Sequence, residues 1–120
     1  EPTNTLFSRF VFKYIHQEQF DEKKDKWVVD GEGRLGDANI AMPWIIFIRD
    51  REKFLRKYPD LEILQTNNHT PFRMFLSGGL SYRQFVPSAS FGFFTNIEKL
   101  LSPFHNTLGS FMTIVVKKLE

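Results

Sequence analysis

Apolar and polar positions alternate legibly in only part of this chain. Residues 4–16 predict a helix: Asn4 or Thr5 can cap it, and Phe7, Phe10, Val11, Tyr14 and Ile15 recur at three- and four-residue spacing on one face. From Gln17 to Gly36 the pattern dissolves into the charges of Asp21-Glu22-Lys23-Lys24-Asp25-Lys26 and the glycines 31, 33 and 36. That predicts a long loop with at most a short strand at Trp27-Val28-Val29, and loops of this length are usually functional or mobile. Ile40 to Ile48 is nearly all apolar. Pro43 suits a helix start, Ile45-Ile46-Phe47-Ile48 suits a strand, and periodicity does not decide between them. Asp50 then predicts an N-cap for a helix from Arg51 to Lys57 with Phe54 and Leu55 inward, stopped by Tyr58-Pro59. Leu61-Glu62-Ile63-Leu64-Gln65 alternates as a half-buried strand does.

Beyond it, Asn67 to Pro71 is rich in turn formers, Phe72 to Leu76 is apolar, and Ser77-Gly78-Gly79 breaks the chain. Residues 80–102 predict a helix in two pieces, interrupted at Pro87, with Ile97, Leu100 and Leu101 inward and Pro103 as its stop. Phe111 to Val116 is a β-branched run and the second clear strand, closing at Lys117-Lys118. Two strands among several helical pieces make a poor sheet on their own, because a two-stranded ribbon is marginal. The pattern predicts a piece of a larger α/β sheet.

Composition sharpens this. The chain has 120 residues, enough for one domain with a modest core, and 42% hydrophobic content excludes a disordered tail. Fourteen Phe, two Trp and three Tyr make it 16% aromatic, so the rings either fill a Phe-rich core or face a partner surface or acceptor pocket. There is no Cys, which excludes disulfides, a thiolate zinc site and a Cys nucleophile, and fits a reducing, cytoplasmic setting. A net charge of +2 with mixed signs and no Lys/Arg run longer than two is weak evidence for a nucleic-acid partner. No apolar stretch is long enough for a bilayer, and Glu1-Pro2-Thr3-Asn4 is unlike a signal peptide. The chain begins without Met, which predicts a processed or cut product.

The motifs yield no complete catalytic constellation. Gly31-Glu32-Gly33-Arg34-Leu35-Gly36 spells G-x-G-x-x-G, but it follows a charged loop rather than a buried strand and leads into no helix opening, so it reads as loop. His16, His69 and His105 share no ligand spacing, and no metal site is expected. His16 ends an amphipathic helix beside Glu18 and Asp21. It is either a helix-terminal histidine favoured by the dipole or a base at the mouth of a pocket. Arg49-Asp50-Arg51-Glu52 reads as a solvated helix start with local ion pairs.

Three pieces nevertheless resemble one family. Glu1-Pro2 resembles the end of the fifth sheet strand of class I S-adenosylmethionine-dependent methyltransferases, which leads into a helix. The run from Asp37 to Asp50, continued by Phe54 and Tyr58-Pro59-Asp60-Leu61-Glu62-Ile63, is similar to the late region of a bacterial subgroup. So is Pro71-Phe72-Arg73-Met74-Phe75-Leu76-Ser77-Gly78-Gly79-Leu80-Ser81-Tyr82-Arg83. The resemblance implies a partial Rossmann-like α/β fold, a single unit over 1–120, in which strands at 61–66 and 110–118 are the closing antiparallel pair and a helical insertion covers the acceptor side. It implies S-adenosylmethionine as cofactor of the whole protein. The glycine-rich donor loop and the acidic residue after it are not in this sequence, so the chain alone is expected to bind no donor and to be inactive.

The implied partners are an N-terminal half of the same protein and a small-molecule methyl acceptor, with neither nucleic acid nor membrane, and an exposed sheet edge would let two copies pair. His16, Asn39 and Arg73, polar residues beside patterned apolar segments, are the candidate acceptor-facing set; Arg73 suits an anionic group or pairs with a carboxylate. The catalytic residue is not identified. The competing reading is an independent small binding domain docking a partner through a Phe-rich face. A third possibility sets Phe91, Phe93, Phe94, Ile97 and Leu101 against a membrane surface, although core packing accounts for that face more simply.

Overall fold

The structure, a computed structural model, describes residues 1–15, 19–28, 38–78 and 83–120. Helix α1 runs from Leu6 to Tyr14. Thr5 caps it: the Ser8 amide donates to Thr5 Oγ1 (3.1 Å) while the Thr5 amide donates to Ser8 Oγ (2.8 Å). This is a capping box with Ser in the place usually taken by Glu. The buried side of α1 is Ser8, Val11 and Phe12, whereas Phe10 and Tyr14 of the predicted inner face are exposed. The helix is rotated from the hydrophobic expectation because Ser8 is consumed internally, donating also to the Thr3 carbonyl at 2.8 Å.

Phe12 is the hub of the core. It stacks on Phe20 at 5.3 Å between ring centroids and meets Phe75 and Phe111 edge-on at 5.7 and 6.3 Å. Ala41 and Ile45 complete the cluster, and Trp27, Ile40 and Trp44 pack around it. The ambiguous apolar segment is helical. Short α2 (Met42–Trp44) passes into a π-helical turn, Ile45–Arg49, closed by the Asp50 amide on the Ile45 carbonyl at 2.8 Å. Helix α3 follows at Arg51–Lys57, the predicted bounds, with Phe54 buried. Asp50 stands at its N-cap position but sends its carboxylate elsewhere. It accepts from Arg49 Nε at 2.7 Å and from Trp27 Nε1 at 2.9 Å. Trp27 and Val28 are therefore not a strand: Trp27 is a loop anchor, with Lys53 Nζ 4.8 Å above its ring.

Strands β1 (Leu61–His69) and β2 (Phe111–Lys118) pair antiparallel, so the molecule mixes helices with a two-stranded antiparallel sheet. The pairs Ile63/Val116, Thr66/Ile114 and Asn68/Met112 share one face; Glu62/Lys117, Gln65/Val115, Asn67/Thr113 and His69/Phe111 share the other. Between Ile63 and Gln65 the register slips, leaving Leu64 as the extra residue of a bulge. On the side of β2 away from β1, the first residues of the chain add a short antiparallel rung. Pro2 bridges Phe111, the Met112 amide donates to the Glu1 carbonyl (2.7 Å), and the Thr3 amide donates to the Ser110 carbonyl (3.1 Å).

Between the strands lie α4 (Arg73–Leu76), a 3₁₀ turn at Ser88–Ser90 running into α5 (Phe91–Leu100), a second 3₁₀ turn at Ser102–Phe104, and α6 (His105–Leu108). The predicted helical stretch 80–87 is not helical over its described part, 83–87. The inner residue of α5 is Glu98, 3% exposed, while Leu100, expected inward, is 79% exposed. Pro103 opens a new turn rather than only closing α5.

Candidate functional site

The insertion is built around that buried carboxylate. Glu98 Oε1 accepts the amides of Phe72 (3.0 Å) and Arg73 (2.7 Å), and Oε2 pairs with Arg73 Nε. A four-residue helix such as α4 leaves its first amides without intrahelical partners; here a carboxylate from another helix supplies them. Arg73 is fixed in turn. Its Nη1 donates to Thr95 Oγ1 at 3.0 Å, and its guanidinium lies 5.2 Å from the Phe91 ring centre. The Glu98 carbonyl accepts from His105 Nε2 at 2.9 Å, tying α6 to the same point.

Above the ion pair is a cleft of about 400 Å³ with Arg73 at its floor and Leu76, Val86, Pro87, Phe91 and Phe94 on its walls. Phe94 is held edge-on by Phe72 at 6.2 Å. Serines 77, 88 and 90 and Gln84 supply the remaining polar lining. No His, Asp or Glu lines the cleft among the described residues. Such a lining suits an apolar or aromatic body against the walls and an anionic or hydrogen-bonding end at the fixed guanidinium.

The three candidate residues stand differently. His16 lies outside the described residues. Asn39 is buried and used within the chain: Oδ1 accepts from the amides of Asp21 (2.9 Å) and Ala41 (3.1 Å), and Nδ2 donates to the Asp21 carbonyl (2.7 Å). It anchors the charged loop to the core, and no cleft among the described residues is lined by both Asn39 and Arg73. Arg73 pairs with a carboxylate and also lines the cleft. The Arg49–Glu52 cluster forms the local ion pairs expected, Arg49–Asp50 at 2.7 Å and Arg56–Glu52 at 3.8 Å. Arg49 also donates to the carbonyls of Glu22 (2.8 Å) and Lys24 (3.0 Å), clamping the loop. Its hydrogen bond is the main reason the Asp50 carboxyl falls from 3.8 to about 2, against the opposing effect of burial and with help from Trp27.

Hydrophobic patterning overlooked Glu98, yet the sequence carried a signal. It is the only Asp or Glu between Glu62 and Glu120, set inside the apolar Phe91–Leu101 run. A lone acid in an apolar helix facing two arginines upstream, Arg73 and Arg83, is a candidate buried ion pair. Among the described residues no group of three or more His, Asp or Glu is placed to hold a metal ion. No protein-family model, curated protein or solved structure matches the chain.

Proposed function

We propose that this chain is the C-terminal, acceptor-side part of a bacterial-type class I S-adenosylmethionine-dependent methyltransferase, acting in the cytoplasm and inactive until a preceding cofactor-binding half joins it. In this reading the Arg73 cleft holds the methyl acceptor. Transfer needs sulfonium and acceptor atom in line with water excluded, so a rigid cleft contributes by positioning.

The observation that carries the reading is the outer edge of β2. Glu1 to Thr3 occupy its beginning, antiparallel, and beyond them residues 113–118 have no strand partner on that side among the described residues. Glu1 and Met112 exchange both backbone hydrogen bonds, at 2.7 and 3.0 Å. Antiparallel alternation then makes Ile114 and Val116 the next bonding positions for a strand running into Glu1. A second feature agrees. Leu6, Phe10 and Tyr14 form a stripe at four-residue spacing along α1 and are 71%, 54% and 77% exposed, an apolar face for another layer.

The test is to express the reading frame with the residues preceding Glu1 and compare it with the chain alone. The longer protein should bind S-adenosylmethionine saturably and slow amide exchange at Ile114 and Val116; the chain alone should do neither. A start codon within a few residues of Glu1, or a saturable thermal shift of the chain alone with S-adenosylmethionine, would overturn the reading. Protection of the same amides that grows with protein concentration would instead assign the edge to a second copy.

A further inference from the structure

Beside the Arg73–Glu98 pair, the paired ends of β1 and β2 and the turn leading into α6 border two open, adjacent hollows of about 650 and 600 Å³, which share His69, Ser102, His105 and Thr113. We propose that these hollows form a binding site for the phosphate group of a small molecule, independent of methyl transfer.

The lining is rich in donors and poor in negative charge. Its one carboxylate, Glu98, already accepts the two α4 amides and Arg73, so it repels an incoming anion little. The Glu98 carbonyl can only accept, so His105 holds its proton on Nε2, and its Nδ1 has no hydrogen-bond partner among the described residues. Nδ1 is then an acceptor, which suits the hydroxyl of a monohydrogen phosphate. His69 rests between two hydroxyls, Thr70 Oγ1 at 2.8 Å from Nδ1 and Thr113 Oγ1 at 3.1 Å from Nε2. A hydroxyl that accepts from the ring keeps its own hydrogen for a ligand. Asn106 Oδ1 accepts from Asn68 Nδ2 at 3.3 Å, which leaves the Asn106 amide hydrogens for a ligand. Lys99 stands on the wall and has no ion pair among the described residues.

Burial, ahead of the positive charges around it, holds His69 below the ordinary imidazole value, with Glu98 opposing. One further observation agrees. Thr70 holds φ at 49°, a left-handed conformation that a β-branched residue adopts only under constraint. The strain sits on the residue that orients His69.

The groups facing His69 are Arg73 from α4, Glu98 and Lys99 from α5, His105 from α6, Thr113 from β2 and the amino terminus. A bound phosphate places negative charge beside His69 and so favours its protonated form. The probe is inorganic phosphate added to the full chain, read by proton NMR of the histidine Cε1–H resonances at matched ionic strength. The His69 and His105 signals should move saturably with a Kd of about 1 mM, and the His69 midpoint should rise by about half a pH unit. His105→Gln and the exposed-site variant Lys99→Ala should each weaken binding about fivefold. Identical titrations in phosphate and chloride would overturn the proposal, as would an equal response to acetate or unchanged binding in Lys99→Ala.

Discussion

Glu98 is the residue whose removal the fold should tolerate least. In Glu98→Ala the amides of Phe72 and Arg73 lose their acceptor and Arg73 loses its counter-charge. An unsatisfied buried donor costs about 1–3 kcal/mol. The amides contribute the larger share, because the Arg73 side chain is 28% exposed and can turn to water whereas Glu98 is 4% exposed. A total of about 4 kcal/mol results, within the range for breaking a buried pair. That is a large part of the 5–15 kcal/mol typical of a domain, so the alanine variant should be substantially unfolded at 37 °C.

The isosteric Glu98→Gln keeps an acceptor for the amides but turns an NH₂ toward Arg73, and should cost about 2 kcal/mol. Arg73→Met should cost a similar ~2 kcal/mol. The double variant should cost less than the sum by about 1–2 kcal/mol, the signature of a coupled pair. Urea denaturation followed by tryptophan fluorescence measures all three, read as midpoint shifts at constant slope. A Glu98→Gln shift below about 0.5 kcal/mol, or strict additivity with Arg73→Met, would refute the account of Glu98 as the hub of the insertion.

Other expectations follow from the loop and the turns. Asp50 has a folded value near 2 against 3.8, so its stabilisation is complete above pH 4 and is lost as pH falls toward 2. The shift bounds the effect at about 2.5 kcal/mol, and solvent screening at a surface pair reduces it to about 1 kcal/mol. Stability of Asp50→Asn should accordingly converge on that of the parent in acid unfolding curves. Asn39→Ala removes three hydrogen bonds at a buried position and should cost about 2–3 kcal/mol, with faster trypsin cleavage at Lys23 and Lys24 as the local readout. At Gly109 an added Cβ would stand 2.6 Å from the His105 carbonyl oxygen, so Gly109→Ala should lower the urea midpoint by about 2 kcal/mol equivalent.

What the sequence made legible was local. The bounds of α3 and the places of both strands followed from caps, proline stops and β-branched runs, because these depend on near neighbours. What escaped it depends on distant partners. The direction of α1 was misread because Ser8 is buried by bonds to Thr3 and Thr5, which hydropathy counts as exposure. The inner face of α5 was misread for the same reason: Glu98 is internal only because Arg73, 25 residues away, meets it. Segment 40–48 stayed ambiguous because its side chains suit both states, and its helical outcome rests on packing of Ala41 and Ile45 against Phe12 and Phe20. Of the site, Arg73 was visible as a charge beside an apolar run, while the cleft walls come from segments that only the fold unites.

The bulge at Leu64 has a further consequence for how the chain tolerates change in length. It shifts the parity of β1, so that Ile63 and Thr66 lie on the same face although an uninterrupted strand would set them on opposite ones. Deleting Leu64 would restore an unbroken ladder, because Ile63 and Gln65 would then be neighbours opposite the neighbours Val116 and Val115, and every other pair would keep its partner and its face. What such a deletion removes is the local twist and bend that a bulge adds. A one-residue deletion between Gln65 and Asn67 would instead send one end of the strand to the wrong face, taking Asn68 from Thr3 and His69 from Thr113. Loss of the 54%-exposed Leu64 should therefore be far milder than loss of a residue two or three positions further on.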